Sequence, residues 1–244
     1  VAQNRDPDLG CIQGKPMQDQ HTDLKWDDNG VPVSSRFDDP YFSVDNGLDE
    51  TRHVFLGGND LPARFCDGFH IAELGFGTGL GFLTTVQAWQ EAGTLGHLYF
   101  TSFEAFPMTA LEMARALSAF PELTELAGPL VDQWVVKTQL IQYAPNVTLE
   151  VVLGDARQTL PNWTSKADAW YLDGFSPAKN PELWTPELMQ AVADHTTATG
   201  TAATYTAAGF VRRGLRDAGL QVERVAGYGR KRHMTVAKFE AASE

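Results

Sequence analysis

Cysteine is nearly absent. Only Cys11 and Cys66 occur among 244 residues, 55 positions apart. With no Cys-x-x-Cys pair, a zinc ribbon and a disulfide scaffold are excluded. Two isolated thiols suit a reducing compartment. Long apolar runs are missing too. None approaches the roughly 18 residues of a membrane-spanning helix, and residues 1–14 are polar, without the apolar stretch of a secretory signal. A soluble cytoplasmic protein, not on a membrane, is therefore expected. The histidines at 21, 53, 70, 97, 195 and 233 nowhere fall at metal-ligand spacing, so no metal is expected. No Ser or Cys stands in a nucleophile-elbow context, which leaves acyl transfer unsupported.

Positive charge is also scarce, 19 Lys and Arg against 31 Asp and Glu, for a net charge of −12. Taken whole, that argues against a nucleic-acid partner. The deficit is uneven, however. Residues 209–238 hold eight basic and two acidic side chains, a local +6 on a body of −18. Such a segment permits contact with an anionic partner. Within it, Arg212-Arg213 and Gly229-Arg230-Lys231-Arg232 could touch phosphates, or form a solvated helix face and a charged hairpin.

What is present is a 43% hydrophobic chain, enough for one sizeable core. Asp28-Asn29-Gly30 marks a turn between short extended pieces at 24–27 and 31–34. Residues 36–59 are dense in aromatics and charges but have no clean period, and read as a lid or edge piece rather than a core element. Beyond them strands alternate with helices. Strands are expected at 70–74, 98–103, 147–153, 169–172, 201–205, 220–225 and 234–239, and helices at 80–90, 107–120, 186–195 and 208–218. Alternation of this kind predicts an α/β fold with a mostly parallel sheet covered on both faces. The last two strands are too close for a parallel crossover, so one is expected to be antiparallel. Seven strands ending in such a pair resemble the Rossmann-like class I methyltransferases. Residues 1–60 are expected to be an N-terminal extension or lid packed on a core at 61–244.

The sharpest local motif is Glu73-Leu74-Gly75-Phe76-Gly77-Thr78-Gly79, at the first strand-to-helix turn. A dinucleotide fingerprint wants glycine at position 80, which is Leu80. The observed spacing fits the methionine end of S-adenosylmethionine better than a pyrophosphate, although a bare glycine turn would look the same. Glu104, Asp155 and Asp173 also stand at strand ends, where a parallel sheet brings them to one edge beside Glu73. Glu104 could accept ribose hydroxyls, and the Gly154-Asp155-Ala156 turn could reach an adenine amino group. Any one of these acids could be a solvated loop residue; four at successive strand ends are harder to dismiss. Asp173-Gly174-Phe175-Ser176-Pro177 occupies the place where amine methylases present an acid and an aromatic wall. A carboxylate there can take a proton from an amine, or Asp173 can simply cap a helix. Lys179-Asn180 follows closely enough to line the same mouth.

The runs 37–43, 47–56, 73–80, 170–181, 208–215 and 227–232 together resemble the methyltransferase half of the MnmC family, bifunctional enzymes of 5-methylaminomethyl-2-thiouridine biosynthesis in tRNA. The likeness runs from about Leu24 to Glu240. It implies methyl transfer from S-adenosyl-L-methionine to the aminomethyl nitrogen of a wobble uridine. It implies cofactor contacts at Glu73, Gly75, Phe76, Gly77, Thr78, Gly79, Glu104, Asp155, Ala156 and Asp173, with Asp173 also catalytic. The tRNA anticodon loop would be met by Arg36, Asp38, Tyr41, Arg52, Phe175, Lys179, Asn180, Arg212, Arg213, Arg230 and Lys231. Gly81 departs from the family, which carries Asn there. These 244 residues leave no room for the family's FAD-dependent oxidase half, so the chain is expected to be either a stand-alone enzyme or a fragment. A stand-alone enzyme would be coupled to a separate oxidase or another aminomethyl-forming enzyme. Rival readings are an aminopropyl transferase, a small-molecule amine N-methyltransferase and a non-catalytic scaffold.

Overall fold

The computed structural model describes residues 23–43, 46–135 and 140–239; Cys11 and the polar N-terminus lie outside them. The Asp28-Asn29-Gly30 turn joins β1 (Leu24–Trp26) to β2 (Pro32–Ser34), and β3 (Asp39–Pro40) completes a small antiparallel sheet. Gly30 takes φ +78° at the turn, where a side chain would be strained.

The principal sheet has eight strands in the order β10-β11-β9-β8-β4-β5-β7-β6. They are β4 (His70–Leu74), β5 (Leu98–Glu104), β6 (Leu140–Ala144), β7 (Val147–Leu153), β8 (Ala167–Leu172), β9 (Thr196–Thr204), β10 (Gln221–Ala226) and β11 (His233–Lys238). The five central strands are parallel. β11 runs antiparallel to both β9 and β10, as the short connection required. The expected count of seven is corrected by β6, an added edge strand antiparallel to β7. Its alternation of exposed Leu140 and Gln142 with buried Ile141 and Tyr143 is a period-two signal, but only five residues long.

Alternate residues of each strand feed two apolar layers. Ile71, Phe100 and Tyr171 pack with α2 (Leu80–Ala92), α3 (Ala110–Leu117) and α4 (Thr124–Gln133). Ala72, Phe103, Trp170 and Leu172 pack with α6 (Pro186–Asp194) and α7 (Gly209–Asp217). A short α5 (Ala156–Thr159) lies beside the second layer.

The expected helix at 107–120 is shorter. Thr109 caps α3 in a box with Glu112, whose Oε2 accepts the Thr109 backbone N–H at 2.8 Å, so Pro107 precedes the helix. α4 was not legible because Gly128-Pro129 reads as a breaker. Packing overrides it: Leu123 and Leu130 are fully buried, and the Trp134 ring stacks on Phe76 at 5.0 Å.

Residues 46–59 differ most from expectation. Gly47–Thr51 is α1, Arg52–Leu56 a π-helical turn and Gly57–Asn59 a 3-10 turn. Leu48, Val54, Phe55 and Asn59 are buried, so this segment belongs to the core rather than to an edge. Hydrogen bonds spaced i to i+5 do not repeat every 3.6 residues, which is why the sequence showed no period.

Candidate active site

The C-terminal ends of β4, β5, β7 and β8 open into one cleft of about 860 Å3, within the range of small-molecule sites. It lies where the chain order reverses about β4, the switch point of an open α/β sheet. Glu73, Glu104, Asp155 and Asp173 all line it, as do Gly75, Phe76, Gly77, Thr78 and Ala156. Gly79 does not line the cleft. It caps α2 in the left-handed region at φ +79°, and a Cβ there would be 3.0 Å from Leu130.

The glycine turn is shaped by close approach. Gly75 has φ +85°, and a Cβ on it would stand 3.2 Å from Gly174 Cα, so the turns after β4 and β8 pass backbone to backbone. Glu104 fixes the other side. Its Oε2 accepts the Gly77 N–H at 2.9 Å and its Oε1 the Phe106 N–H at 2.6 Å. Burial raises the Glu104 carboxyl above its ordinary range, and these N–H donors pull it back. Each oxygen keeps a lone pair able to accept a ligand hydroxyl.

Glu73 is buried within β4 and accepts the Ser102 hydroxyl at 2.8 Å. Burial holds it well above the usual carboxylate range, with the neighbouring Asp173 and Glu104 charges adding to the effect. A Cβ at Gly81 would meet Glu73 Oε1, the movable end of that side chain.

Asp155 caps α5 through the Arg157 N–H at 2.9 Å and also pairs with the Arg157 guanidinium, which lowers its pKa. Asp173 follows β8 directly and caps no helix; the next helical turn begins at Pro181. Burial pushes Asp173 up to about 7, against the Gly174 N–H and the charge of Lys231. A carboxyl in that range can exchange a proton near neutrality.

The cleft's outer wall comes from the N-terminal piece. Phe37 stacks on Phe175 at 4.7 Å and Tyr41 meets Phe175 edge-on at 5.0 Å. Asp39 Oδ2 accepts the Ser176 N–H at 2.8 Å, and Lys179 pairs with Asp38 at 2.7 Å. The Arg36 guanidinium lies 4.7 Å from the Phe106 ring centroid. Arg36, Tyr41, Phe175, Lys179 and Asn180 line the cleft; Asp38 joins through Lys179.

Other residues expected at this mouth lie elsewhere. Arg52 bonds Asp49, Gln87 and Glu122 and lines a separate groove on α2. Arg212, Arg213 and Arg230 are not among the cleft residues. Lys231, itself exposed, pairs with Glu50 at 2.7 Å and lies 4.2 Å from the Tyr205 ring centroid. Glu50, within the run 47–56, and Tyr205, at the end of an expected strand, are not among the expected site residues; their proximity arises only from tertiary packing. Among the described residues no group of three or more His, Cys, Asp or Glu could hold a metal ion, and no helix is long and apolar enough to cross a membrane.

Comparison with known proteins agrees with this geometry. Residues 121–240 match the model of a family described as S-adenosyl-L-methionine-dependent methyltransferase. The tRNA 5-methylaminomethyl-2-thiouridine biosynthesis bifunctional protein MnmC of Aeromonas hydrophila is 47% identical over 230 residues, covering 88% of this chain and 35% of that protein. Its counterpart in Hahella chejuensis is 44% identical over 237 residues, covering 93% of this chain and 38% of that protein. The chain thus spans little more than a third of the length of these curated relatives. The crystal structure of MNMC2 from Aquifex aeolicus superposes with a TM-score of 0.70 at 25% identity, over 92% of this chain and 72% of that one. A spermidine synthase shares the fold alone, with a TM-score of 0.51 at 11% identity over 89% of this chain and 72% of that one. Residues 121–240 thus match the S-adenosyl-L-methionine-dependent methyltransferase family model, and the chain is similar over most of its length to part of the MnmC proteins.

Proposed function

We propose that this protein methylates the 5-aminomethyl nitrogen of (2-thio)uridine at the wobble position of tRNA, giving 5-methylaminomethyl(-2-thio)uridine, in the cytoplasm. The observation that carries this reading is Asp173, a partly buried carboxyl at about 7 between the glycine turn and an aromatic wall. The likeness to MnmC supports the choice of substrate.

The donor set fits S-adenosyl-L-methionine. Gly75 and Gly77 leave backbone open for its methionine end, and Glu104 offers acceptors for its ribose hydroxyls. Asp155 and Ala156 lie where an adenine edge can be met, and the Glu73 carboxyl lines the cleft where the sulfonium end can be met. When bound, the cofactor supplies an electrophilic methyl group. Asp173 accepts a hydrogen bond from the substrate amine, aligns its lone pair with that methyl and receives the proton the nitrogen loses as the C–N bond forms. Phe175, with Phe37 and Tyr41 beside it, presents a flat apolar face to the uracil ring. Lys179 and Arg36 at the rim face the flanking phosphates. The aminomethyl precursor is supplied by an aminomethyl-forming activity.

The test is methyl transfer from labelled cofactor to tRNA taken from cells lacking the modification, with nucleosides resolved by mass spectrometry. New methylaminomethyl uridine at the wobble position is the expected result. Cofactor binding without label in tRNA would discard the substrate and direct the search to small amines and polyamines.

A further inference from the structure

Lys231 sits between Arg230 and Arg232 in the most basic stretch of the chain, where sequence assigns it to the surface. Its side chain is 47% exposed there, and its ammonium is paired. Its ammonium lies 2.7 Å from Glu50 Oε1, and the Glu50 side chain is only 15% exposed. It also lies 4.2 Å from the centroid of Tyr205. The Tyr205 hydroxyl donates to the Gly174 carbonyl at 2.8 Å, one residue beyond Asp173.

The hairpin holding Lys231 is fixed in place. Its N–H bonds the Tyr228 carbonyl at 3.0 Å, and a Cβ on Gly227 would lie 2.2 Å from the Lys231 carbonyl oxygen. His53 in the π-helical turn bonds the Ala226 carbonyl at 3.2 Å and lies against the Tyr228 ring. α1, the residue after β9 and the β10–β11 hairpin thus meet at Lys231, with Tyr205 bonded to Gly174 next to Asp173.

The geometry points to Lys231 as a positioning residue: clamped by Glu50 and Tyr205, its ammonium supplies the positive charge that keeps Asp173 ready to receive a proton. The groups facing Asp173 are Glu73 from β4, Glu50 from α1, Tyr205 after β9 and Lys231 from the hairpin. Asp39 from the N-terminal piece faces Tyr205. Of the groups facing Asp173, Glu73 and Glu50 are carboxyls, and Lys231 carries the opposing charge. Glu50 orients the ammonium but also opposes it, so the two substitutions have opposite signs. The inference rests on the reading that Asp173 receives the amine proton, although the charge relation itself can be read without any substrate.

The protein is labelled with 13C-carboxyl aspartate, and the Asp173 signal is assigned by its loss in Asp173→Asn. Its titration is followed in wild type, Lys231→Met, Lys231→Arg and Glu50→Gln, with cofactor affinity as the check on folding. Lys231→Met is expected to raise the midpoint by about one unit, Glu50→Gln to lower it and Lys231→Arg to preserve it. With tRNA, Lys231→Met should lose turnover below neutral pH at unchanged KM. An unchanged midpoint in Lys231→Met, with a raised and salt-dependent KM for tRNA, would overturn the inference and make Lys231 a phosphate contact. If Lys231→Met fails to bind cofactor, Glu50→Gln decides by the sign of its shift: a fall supports the inference, and no shift or a rise overturns it. A midpoint that follows Lys231 in an enzyme inactive on tRNA would sink the substrate and leave the charge relation standing.

Discussion

The inner and outer walls of the cleft are built by different means. Inside, Glu104 is tied to two backbone N–H groups and Glu73 to Ser102, all in buried surroundings. Outside, residues 36–41 rest on the Asp173 loop through an exposed Lys179–Asp38 pair, one Asp39–Ser176 bond and aromatic contacts. Buried charge-assisted bonds are costly to break, whereas exposed ion pairs exchange readily with water and salt. The contrast suits a preformed cofactor seat beside a wall that can part to admit a bulky substrate. Substitutions on the two sides should accordingly separate into effects on affinity and folding and effects on substrate capture.

Asp173 lies on the seam and carries the largest expected effect. Asp173→Asn should lower turnover on tRNA by about a hundredfold or more while leaving cofactor affinity within a few-fold. Equal loss of both would move Asp173 into the cofactor shell. The wild-type rate should rise with pH through about 7, as Asp173 ionises. Stability should run the other way. The folded pKa lies above the unfolded value, so the native state holds the extra proton and loses stability as pH rises from about 4 to 7. Asp173→Asn should therefore melt higher than wild type at pH 8, which thermal scans at two pH values would check.

Glu104→Gln tests the inner wall alone. One amide group cannot accept both the Gly77 and the Phe106 N–H, so a buried donor is left facing another donor, at about 1–3 kcal/mol of stability. Calorimetry should find cofactor binding about tenfold weaker or more, because the glycine turn loses its anchor. Cofactor affinity equal to wild type would mean that the turn is held by packing instead.

A pH effect separates the sheet's far end from the cleft. His70 accepts or donates a hydrogen bond with Thr101 at 2.8 Å, and burial depresses its pKa to about 4. The unfolded chain takes up this proton below about 6.5, so stability is lost as pH falls from there toward 4, by on the order of 3 kcal/mol. His70→Gln should flatten that part of the stability curve without touching the loss with rising pH attributed to Asp173.

The same contrast explains what the sequence could and could not reveal. The glycine turn and the strand-end carboxyls were readable because their placement follows from local rules: a strand ends, the chain turns, and a parallel sheet brings the ends together. Asp28-Asn29-Gly30 was readable for the same reason. α4 hid behind Gly128-Pro129, and 46–59 behind a π-helical turn, since in both cases tertiary burial overrides the local pattern. Arg52 and Lys231 show the limit for charged residues. Their type suggested an anionic partner; in the fold they also pair with Glu122 and Glu50, 70 residues onward and 181 residues back, which no local pattern announces.

The smallest expected effect belongs to the outer wall. Lys179→Ala removes the partner of Asp38, whose carboxyl the lysine holds below its ordinary range. Both groups are exposed, so the melting temperature should not move measurably. Substrate capture should respond more. A phosphate arriving at the rim competes with Asp38 for the same ammonium, and loss of one such contact lowers the salt slope of tRNA binding by about one. Lys179→Ala should therefore raise KM for tRNA a few-fold at low salt and little at high salt, with turnover at saturation unchanged. Asp38→Ala should do the reverse, freeing Lys179 for the incoming phosphate and tightening capture at low salt. Identical losses in both variants would mean that the ion pair holds residues 36–41 in place, and that the outer wall, like the inner one, is preformed.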